Sequence, residues 1–379
     1  MFKVIWSITK SKSALIAFLY SLTFSLYIEI PNSIKVSHII FPLVVMILLY
    51  FIINGRLRIN KNHFALISFG LIGFLFLLIK LALTDPIFFR PDVFNVIIML
   101  LFSIGLLKVR DKDLSLLINC TVYLSILIIS IETSYRISNP KIGSSMPEAR
   151  TLDFFDNLHA FKTNSLMYST SNGTAYHLLV ILAMVLFVYR YKINVNANWL
   201  AQTLIVILIT LTFSRASYIC AIVLYLIRFV LMWQKEHKIL MAGAIALLIF
   251  PLAIKFLGEI GTLSTKFEIL NNIIAYLSNA SFFNLLFGNA YTPPSVAYSF
   301  FDGYVGHTHY FDLIYYLGFI GTIFYLFVFV IPYCWKGILG AVFVILFLLI
   351  GLSNIRIFSH FMLLSFALSH RLYLLNKKY

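Results

Sequence analysis

The residues best suited to chemistry in this 379-residue chain lie in a few polar breaks between long apolar runs. One break reads Thr212-Phe213-Ser214-Arg215-Ala216-Ser217, and it separates two apolar runs with almost no loop between them. An arginine in an apolar setting is costly unless its side chain reaches the aqueous interface or binds an anion. Because the planar guanidinium matches phosphate bidentately, interfacial snorkelling and phosphate binding are both open for Arg215.

A second polar segment, Gly306-His307-Thr308-His309-Tyr310-Phe311-Asp312, lies further along the chain. A histidine titrates near neutral pH and can take a proton from a sugar hydroxyl. Asp302 and Asp312 are near enough in sequence to orient or charge-stabilise an imidazole. Two histidines without a third ligand at suitable spacing do not form a zinc site, so the sequence predicts no metal. A histidine pair in a solvated loop would look the same.

A third group of charges lies between residues 132 and 173. Its cations are Arg136, Lys141, Arg150 and Lys162, interleaved with the acids Glu148, Asp153 and Asp156. A solvated loop would have this composition too. The group therefore supports a functional site only because it is predicted to lie on the same side of the molecule as the other two segments.

The composition predicts that the chain carrying these segments is a membrane protein. Hydrophobic residues make up 61% of the chain and charged residues 11%, with a mean hydropathy of +0.94. Soluble domains carry about a quarter charged residues. The net charge of +15 comes from short basic clusters between apolar runs, without the continuous basic face of a nucleic-acid-binding protein. No phosphate loop or zinc motif is present, so no cofactor is expected.

The apolar runs predict an all-α, polytopic single membrane domain over residues 1–379. At roughly 20 residues per crossing, this length allows about 12 transmembrane helices plus loops. The predicted spans are 13–30, 37–53, 64–83, 93–107, 114–131, 174–189, 199–213, 216–233, 239–257, 312–335, 337–353 and 359–375.

The distribution of lysine and arginine predicts that both termini are cytoplasmic, since cytoplasmic loops carry the excess of these residues. Of the 14 acids, only Asp111, Asp113 and Glu236 fall on the same side. All four tryptophans fall at predicted inner interfaces, which suits their amphipathic rings. The inside set of basic residues is Lys3, Lys10, Lys12, Arg56, Arg58, Lys61, Lys108, Arg110, Lys112, Arg190, Lys192, Arg228, Lys235, Lys238, Lys336, Arg371, Lys377 and Lys378.

Two large outer loops are predicted, at 132–173 and 258–311, and loops of this length are usually functional or disordered. Within the second, Phe267, Leu270, Ile273, Ile274 and Leu277 recur at helical spacing. This spacing predicts a short amphipathic helix, which either lies on the outer leaflet or packs as an ordinary loop helix.

The segment His307-Thr308, nine residues and Gly318-Phe319-Ile320-Gly321 resembles the H-[NSQ]-x9-G-x-x-[GTY] pattern of bacterial O-antigen ligases and polymerases. Phe213-Ser214-Arg215-Ala216 is similar to the Ser-Arg-small signature of the same family, and Leu285-Leu286-Phe287-Gly288-Asn289-Ala290 to its leucine-glycine turn. Thr308 departs from the pattern but retains a hydroxyl. The resemblance covers residues 205–325, and its glycines also predict close helix packing at Gly318 and Gly321.

The resemblance implies a metal-independent glycosyltransferase of the bacterial inner membrane, with a periplasmic active site and an undecaprenyl-diphosphate-linked oligosaccharide as donor. It implies that His307 is the catalytic histidine and that Arg215 binds the diphosphate. Arg150 and Arg136 are candidate substrate contacts, as are His309 and Asp302 beside the catalytic histidine. The lipid bilayer and a chain-length regulator are the other candidate partners.

The acceptor distinguishes the members of this family. A polymerase adds the growing chain to another lipid-linked repeat unit, whereas a ligase adds it to lipid A core. Two outer loops of comparable size, both cationic, resemble the polymerases, so an O-antigen polymerase is expected and a ligase is the alternative. A flippase for the same lipid-linked sugar is a third hypothesis, since it would carry ionisable groups deep in its helices. Lys80, Arg228 and Lys255 are the candidates, and each lies near a helix end.

Overall fold

The computed structural model of the chain describes residues 12–26, 29–30, 34–35, 46, 106, 109–139, 161, 166–167, 171–191, 193, 199–232, 262–289, 309–327, 337–351 and 360–376. The predicted spans 37–53, 64–83, 93–107 and 239–257 lie almost wholly outside these residues, as do Arg150, Asp302 and His307.

The described residues are helical apart from one short antiparallel pair of strands, so the all-α prediction is confirmed for them. The strands β1 (Glu29–Ile30) and β2 (Ile34–Lys35) pair Glu29 with Lys35, which the sequence did not predict. The helices are α1 (Lys12–Ser25), α2 (Asp111–Ser138), α3 (Ser171–Phe187), α4 (Trp199–Leu211), α5 (Arg215–Met232), α6 (Thr262–Asn279), α7 (Phe282–Phe287), α8 (His309–Asp312), α9 (Gly318–Tyr325), α10 (Gly337–Ile350) and α11 (His360–Asn376). A 3-10 turn, Val188–Tyr191, follows α3, and a π-helical turn, Leu313–Leu317, joins α8 to α9.

Among the described helices, α2 alone has both the length and the apolar composition to cross a membrane. It has 28 residues, which corresponds to about 42 Å, and its most apolar window has a hydropathy of 2.2. The helix extends to Ser138, so the predicted loop 132–173 begins later than the sequence suggested. The other apolar helices are shorter.

One end of the helical layer, here called the basic end, is held together by Arg371 of α11. Its guanidinium donates to the Asp111 carboxylate (2.5 Å) and to the carbonyl oxygens of Val109 (2.9 Å) and Leu106 (3.1 Å). The Arg110 amide donates to the Ser13 hydroxyl at 2.8 Å. The end of α11 therefore meets the starts of α1 and α2.

The turn after α3 lies at the basic end too. The Leu339 amide at the start of α10 donates to the Tyr191 hydroxyl at 3.3 Å, and the Tyr373 ring of α11 lies beside Gly337. Since α3 and α10 pack against each other, the start of α3 and the end of α10 point to the opposite end of the layer. We call this the Ser-Arg end, after Ser214 and Arg215. The alternating directions of these helices are those that the sequence predicted for them.

The core of the layer is α3, in which every residue from Thr174 to Phe187 is buried. It packs against α2, α4, α5, α10 and α11, as expected of a helix that is apolar on all sides. Its one histidine, His177, lies 3.0 Å from the Ser125 hydroxyl, which in turn bonds to Ser25 of α1 at 3.0 Å. These contacts give the three buried polar side chains hydrogen-bond partners inside an otherwise apolar core.

Candidate functional site

The polar break between α4 and α5 is a tight turn with an unusual backbone. Phe213 has a φ of 54°, a left-handed conformation that a bulky residue rarely adopts. The Thr212 hydroxyl donates to the Ile209 carbonyl at 2.7 Å, and the Ser217 hydroxyl donates to the Ser214 hydroxyl at 2.9 Å. These bonds end α4 and allow α5 to begin at Arg215.

Arg136 reaches this break from the last turn of α2. Its guanidinium donates to the Leu211 carbonyl at 2.6 Å and to the Phe161 carbonyl at 2.5 Å. The Glu132 carboxylate lies 3.6 Å from its Nε, one helical turn away. Because Arg136 is 0% exposed, the solvated-loop interpretation of this residue is wrong. A buried guanidinium needs a counter-charge and hydrogen-bond acceptors, and all three neighbours supply them.

Two further contacts gather neighbouring segments around the same break. The Ser171 hydroxyl, at the first residue of α3, donates to the Thr212 carbonyl at 2.8 Å. The rings of Phe161 and Phe213 pack with their centroids 6.1 Å apart. The residues that precede Arg215 therefore contact three other parts of the chain. These are the end of α2, the start of α3 and Phe161 of the predicted first outer loop.

The second motif region is built on two glycines that are thirty positions apart in the chain. Gly288, which ends α7, has a φ of 74°, and Gly318, which starts α9, has a φ of 67°. A Cβ on Gly288 would lie 2.5 Å from the Tyr316 carbonyl oxygen, and one on Gly318 would overlap the backbone of Leu286 and Gly288. The predicted close packing is confirmed at Gly318, with the leucine-glycine turn as its partner.

An aromatic cluster of Tyr276, Phe311 and Tyr315 stabilises this contact. The Phe311 and Tyr315 rings stack at 5.4 Å, and Tyr276 lies 5.3 Å from Tyr315. Asn289 donates through its side chain to the Tyr276 hydroxyl at 2.9 Å and through its amide to the Tyr315 carbonyl at 2.8 Å. The helix that opens at His309 is thereby fixed to α6 and α7.

The predicted amphipathic helix of the second outer loop is confirmed as α6. Tyr276 and Ile273 pack into the aromatic cluster, while Leu270, Ile274 and Leu277 are 48%, 53% and 38% exposed. On α7, Phe282 and Phe283 are exposed too. The apolar residues of this segment are therefore divided between a packed face and an open one.

The two motif regions lie at the same end of the helical layer. The Tyr310 hydroxyl donates to the Leu348 carbonyl, near the end of α10. The end of α10 points to the Ser-Arg end, where the Ser171–Thr212 bond also lies. The start of the α8 segment, only a few residues after His307 in the sequence, therefore belongs to the end that carries Ser214 and Arg215.

The six candidate residues are described to different extents. For Arg136, the structure describes both the backbone and the side chain. For Arg215 and His309 it describes the backbone, and these are the first residues of α5 and α8. Arg150, Asp302 and His307 lie outside the described residues. Within the described part of the chain, no group of three His, Cys, Asp or Glu side chains is arranged to hold a metal.

Two features of the site were missed from the sequence. The first is the set of contacts that Arg136 makes with Glu132, Phe161 and Leu211. The sequence contains one sign of it, the i,i+4 spacing of Glu132 and Arg136, which is typical of a helical ion pair. The Gly288–Gly318 contact joins two motifs, and nothing in their sequences indicates that they lie next to each other in space.

No family model, curated protein or solved structure matches the chain. A function must therefore be inferred from the motifs and from the geometry described above.

Proposed function

We propose that the protein is an integral glycosyltransferase of the bacterial inner membrane, with about 12 spans, that polymerises lipid-linked repeat units of O-antigen or a related surface polysaccharide. The observation that carries the proposal is the common position of the two motif regions. The Ser214-Arg215 break and the helix start that follows His307 both belong to the Ser-Arg end.

The orientation follows from the charges at the two ends. Arg110, Arg228 and Arg371 lie towards the basic end, and an excess of arginine and lysine marks the cytoplasmic side of a membrane protein. The Ser-Arg end then faces the periplasm. A periplasmic transferase has no access to nucleotide sugars, so a donor that carries its own diphosphate leaving group suits this location.

Arg215 is the proposed contact of the donor diphosphate. It is the first residue of α5, where the helix dipole favours an anion. The guanidinium adds a bidentate partner for phosphate oxygens and stabilises the charge that develops on the leaving group. Arg136 is a positioning residue, because it fixes the end of α4 through Leu211.

The proposed reaction transfers the growing glycan from undecaprenyl diphosphate to the hydroxyl of an incoming lipid-linked repeat unit. The bond between the anomeric carbon and the diphosphate oxygen breaks as the acceptor oxygen bonds to that carbon. His307 takes the hydroxyl proton, and undecaprenyl diphosphate leaves with the electron pair. A positioned general base contributes about 10²–10⁴-fold to such a step.

A gel of surface polysaccharide from a deletion strain tests the acceptor. A single repeat unit on lipid A core supports the polymerase. Bare core with polymer retained on the carrier lipid would indicate a ligase, and an unchanged ladder would overturn both assignments. Inner-membrane vesicles separate transport from synthesis, because a flippase moves the lipid-linked unit across the membrane, whereas a polymerase lengthens it.

Complementation of that strain with His307→Ala tests the catalytic residue. We expect loss of the ladder at an unchanged protein level in the membrane. His360→Ala is the matched control, since His360 opens α11 and lies outside both motifs. A normal ladder from His307→Ala would remove the proposed base.

A further inference from the structure

The open side of α6 is divided into an apolar stripe and a polar one. Leu270, Ile274 and Leu277 are exposed and follow the i, i+4, i+7 spacing that puts side chains on one face of a helix. Asn271 and Ser278 are also exposed, and their i, i+7 spacing forms a second stripe beside the first. Water favours only the polar stripe and hydrocarbon favours only the apolar one. The division is therefore typical of a helix that lies in the plane of a membrane surface.

The short helix α7, which follows α6 directly after Ala280 and Ser281, carries three more exposed apolar side chains. Phe282 and Phe283 are 77% and 67% exposed. The Phe283 ring packs against the exposed ring of Phe287, with their centroids 4.8 Å apart. Exposed apolar groups of this size mark a contact with a membrane or with another protein. We call the six exposed apolar residues of the two helices the open apolar face: Leu270, Ile274, Leu277, Phe282, Phe283 and Phe287.

The open apolar face adjoins the exposed side of α9. Gly288 and Gly318 approach each other through their backbones. Phe287 immediately precedes the first glycine, Phe319 immediately follows the second, and both rings are exposed. Further exposed apolar residues of α9 are Ile320 and Ile323. In the proposed function α9 belongs to the membrane span 312–335, so its exposed side chains face lipid, and the same lipid is then in contact with α7.

We propose that α6 and α7 lie in the periplasmic surface of the membrane, with the open apolar face in the lipid and with Asn271 and Ser278 towards water. The inference rests on the proposed function, which makes the Ser-Arg end periplasmic. The two helices belong to that end, because Tyr276 of α6 packs on Phe311 and Tyr315 of the segment that begins at α8. A helix of this kind buries its apolar face about 5–10 Å into the boundary between headgroups and acyl chains. The undecaprenyl carrier of the proposed donor occupies the same leaflet.

A lipid surface suits this face better than a protein partner does. Specific protein interfaces are enriched in arginine and contain direct hydrogen bonds across the contact. Residues 269–290, which include the whole open apolar face, contain no Lys, Arg, Asp or Glu. They therefore offer a protein partner no charged group to recognise, whereas the acyl region of a membrane requires none.

Site-directed spin labelling of the full-length protein in phosphatidylethanolamine–phosphatidylglycerol vesicles tests the proposal. A nitroxide is attached to Ile274→Cys in a background without Cys120, Cys220 and Cys334. Asn271→Cys is the matched control, because Asn271 is exposed on the polar stripe of the same helix. Oxygen concentrates in hydrocarbon, whereas a neutral nickel chelate stays in water. The label at Ile274 should collide more often with oxygen than with the chelate, and the label at Asn271 should show the reverse order.

Three results would each overturn the proposal. Frequent collisions of the Ile274 label with the chelate would mean that the face is open to water, and few collisions with either reagent would mean that a protein, such as a second copy of the chain, covers it. Reduction of the Asn271 label by ascorbate from the cytoplasmic side alone would assign α6 to the other leaflet.

A third label separates failure of this proposal from failure of the proposed function. Leu127→Cys lies on the exposed side of α2, the helix that is long and apolar enough to cross a membrane. A lipid signal at Leu127 without one at Ile274, beside a normal polysaccharide ladder, would remove the membrane contact of α6 and leave the proposed transferase intact.

Discussion

Gly288 and Gly318 approach so closely that a β-carbon on either one would overlap the backbone of the segment that carries the other. The two glycines belong to different motifs of the sequence, and both adopt positive φ angles. Their contact fixes the leucine-glycine turn, which lies within the second predicted outer loop, against the start of α9. Glycine is required here for space and for backbone conformation together.

Gly318→Ala should destabilise the protein, because the added carbon meets the backbone of Leu286 and Gly288 and the φ of 67° is unfavourable for alanine. We expect a loss of about 2–4 kcal/mol, from the strained conformation and the overlap together. Thermal unfolding of the protein in detergent measures it. Ile320→Ala, at an exposed position of the same helix, is the control. Equal melting temperatures for the two variants would contradict the contact.

Arg136→Gln should destabilise the protein by about 3–5 kcal/mol, the usual result of removing one partner from a buried ion pair. The change leaves the Glu132 carboxylate without its neighbouring cation and removes the donors of the Phe161 and Leu211 carbonyls. The double variant Glu132→Gln/Arg136→Gln should recover part of the loss, since neither side chain of the pair is then charged. Denaturation of all three variants checks this, and a double variant less stable than Arg136→Gln would argue against charge pairing.

Phe213→Gly and Phe213→Val should differ in stability although both remove the ring that packs on Phe161. Glycine adopts the φ of 54° readily, whereas a β-branched residue does so only with strain. We expect Phe213→Val to be the less stable by about 1–3 kcal/mol. Melting temperatures of the pair provide the measurement, and the comparison isolates the backbone because the ring is lost in both.

Arg215→Lys should impair polymerisation while leaving the fold intact. Lysine keeps the charge but cannot bind phosphate bidentately, and losing such an electrostatic contact costs about 10²-fold or more in rate. The length of the polysaccharide ladder, at equal membrane protein level, reports the effect. Arg110→Gln, at the basic end, should leave the ladder unchanged. If Arg215→Lys behaves like this control, the proposed diphosphate contact is refuted.

The orientation of the two ends can be measured by cysteine labelling. Asn139 follows α2 near the Ser-Arg end and is exposed, and Arg110 precedes α2 at the basic end. In a background without Cys120, Cys220 and Cys334, a membrane-impermeant maleimide should label Asn139→Cys from the periplasm. Arg110→Cys should react only after permeabilisation. The reverse pattern, or labelling of both from one side, would rule out the proposed orientation.

Most of the helices that the structure describes were predictable, because hydropathy and periodicity are local properties of the sequence. Phe267 and Leu277 recur at helical spacing, and α6 forms where that spacing predicts it. Which of its apolar residues would be covered was not predictable, since that depends on Phe311 and Tyr315 from a distant segment.

The position of Arg136 shows why the site was harder to predict than the fold. By composition it belonged to a charged loop, yet α2 extends past it and buries it completely. Its partners, the carbonyl oxygens of Phe161 and Leu211, are backbone atoms, which every residue has and no sequence motif records. The hairpin of Glu29 and Lys35 was missed because each strand has two residues, too few for a period of two to appear.

The complete burial of α3 has a consequence for biogenesis. On the proposed orientation, α3 leaves the translocon before α4, α5, α10 and α11 have been synthesised, so the helices that will enclose it do not yet exist. In the proposed membrane orientation, lipid surrounds α3 on several sides at this stage. Its apolar sequence from Leu178 to Phe187 suits that lipid environment as well as the finished protein core. The polar partners of His177 are Ser25 and Ser125 on α1 and α2, which precede α3 in the chain and are therefore synthesised before it.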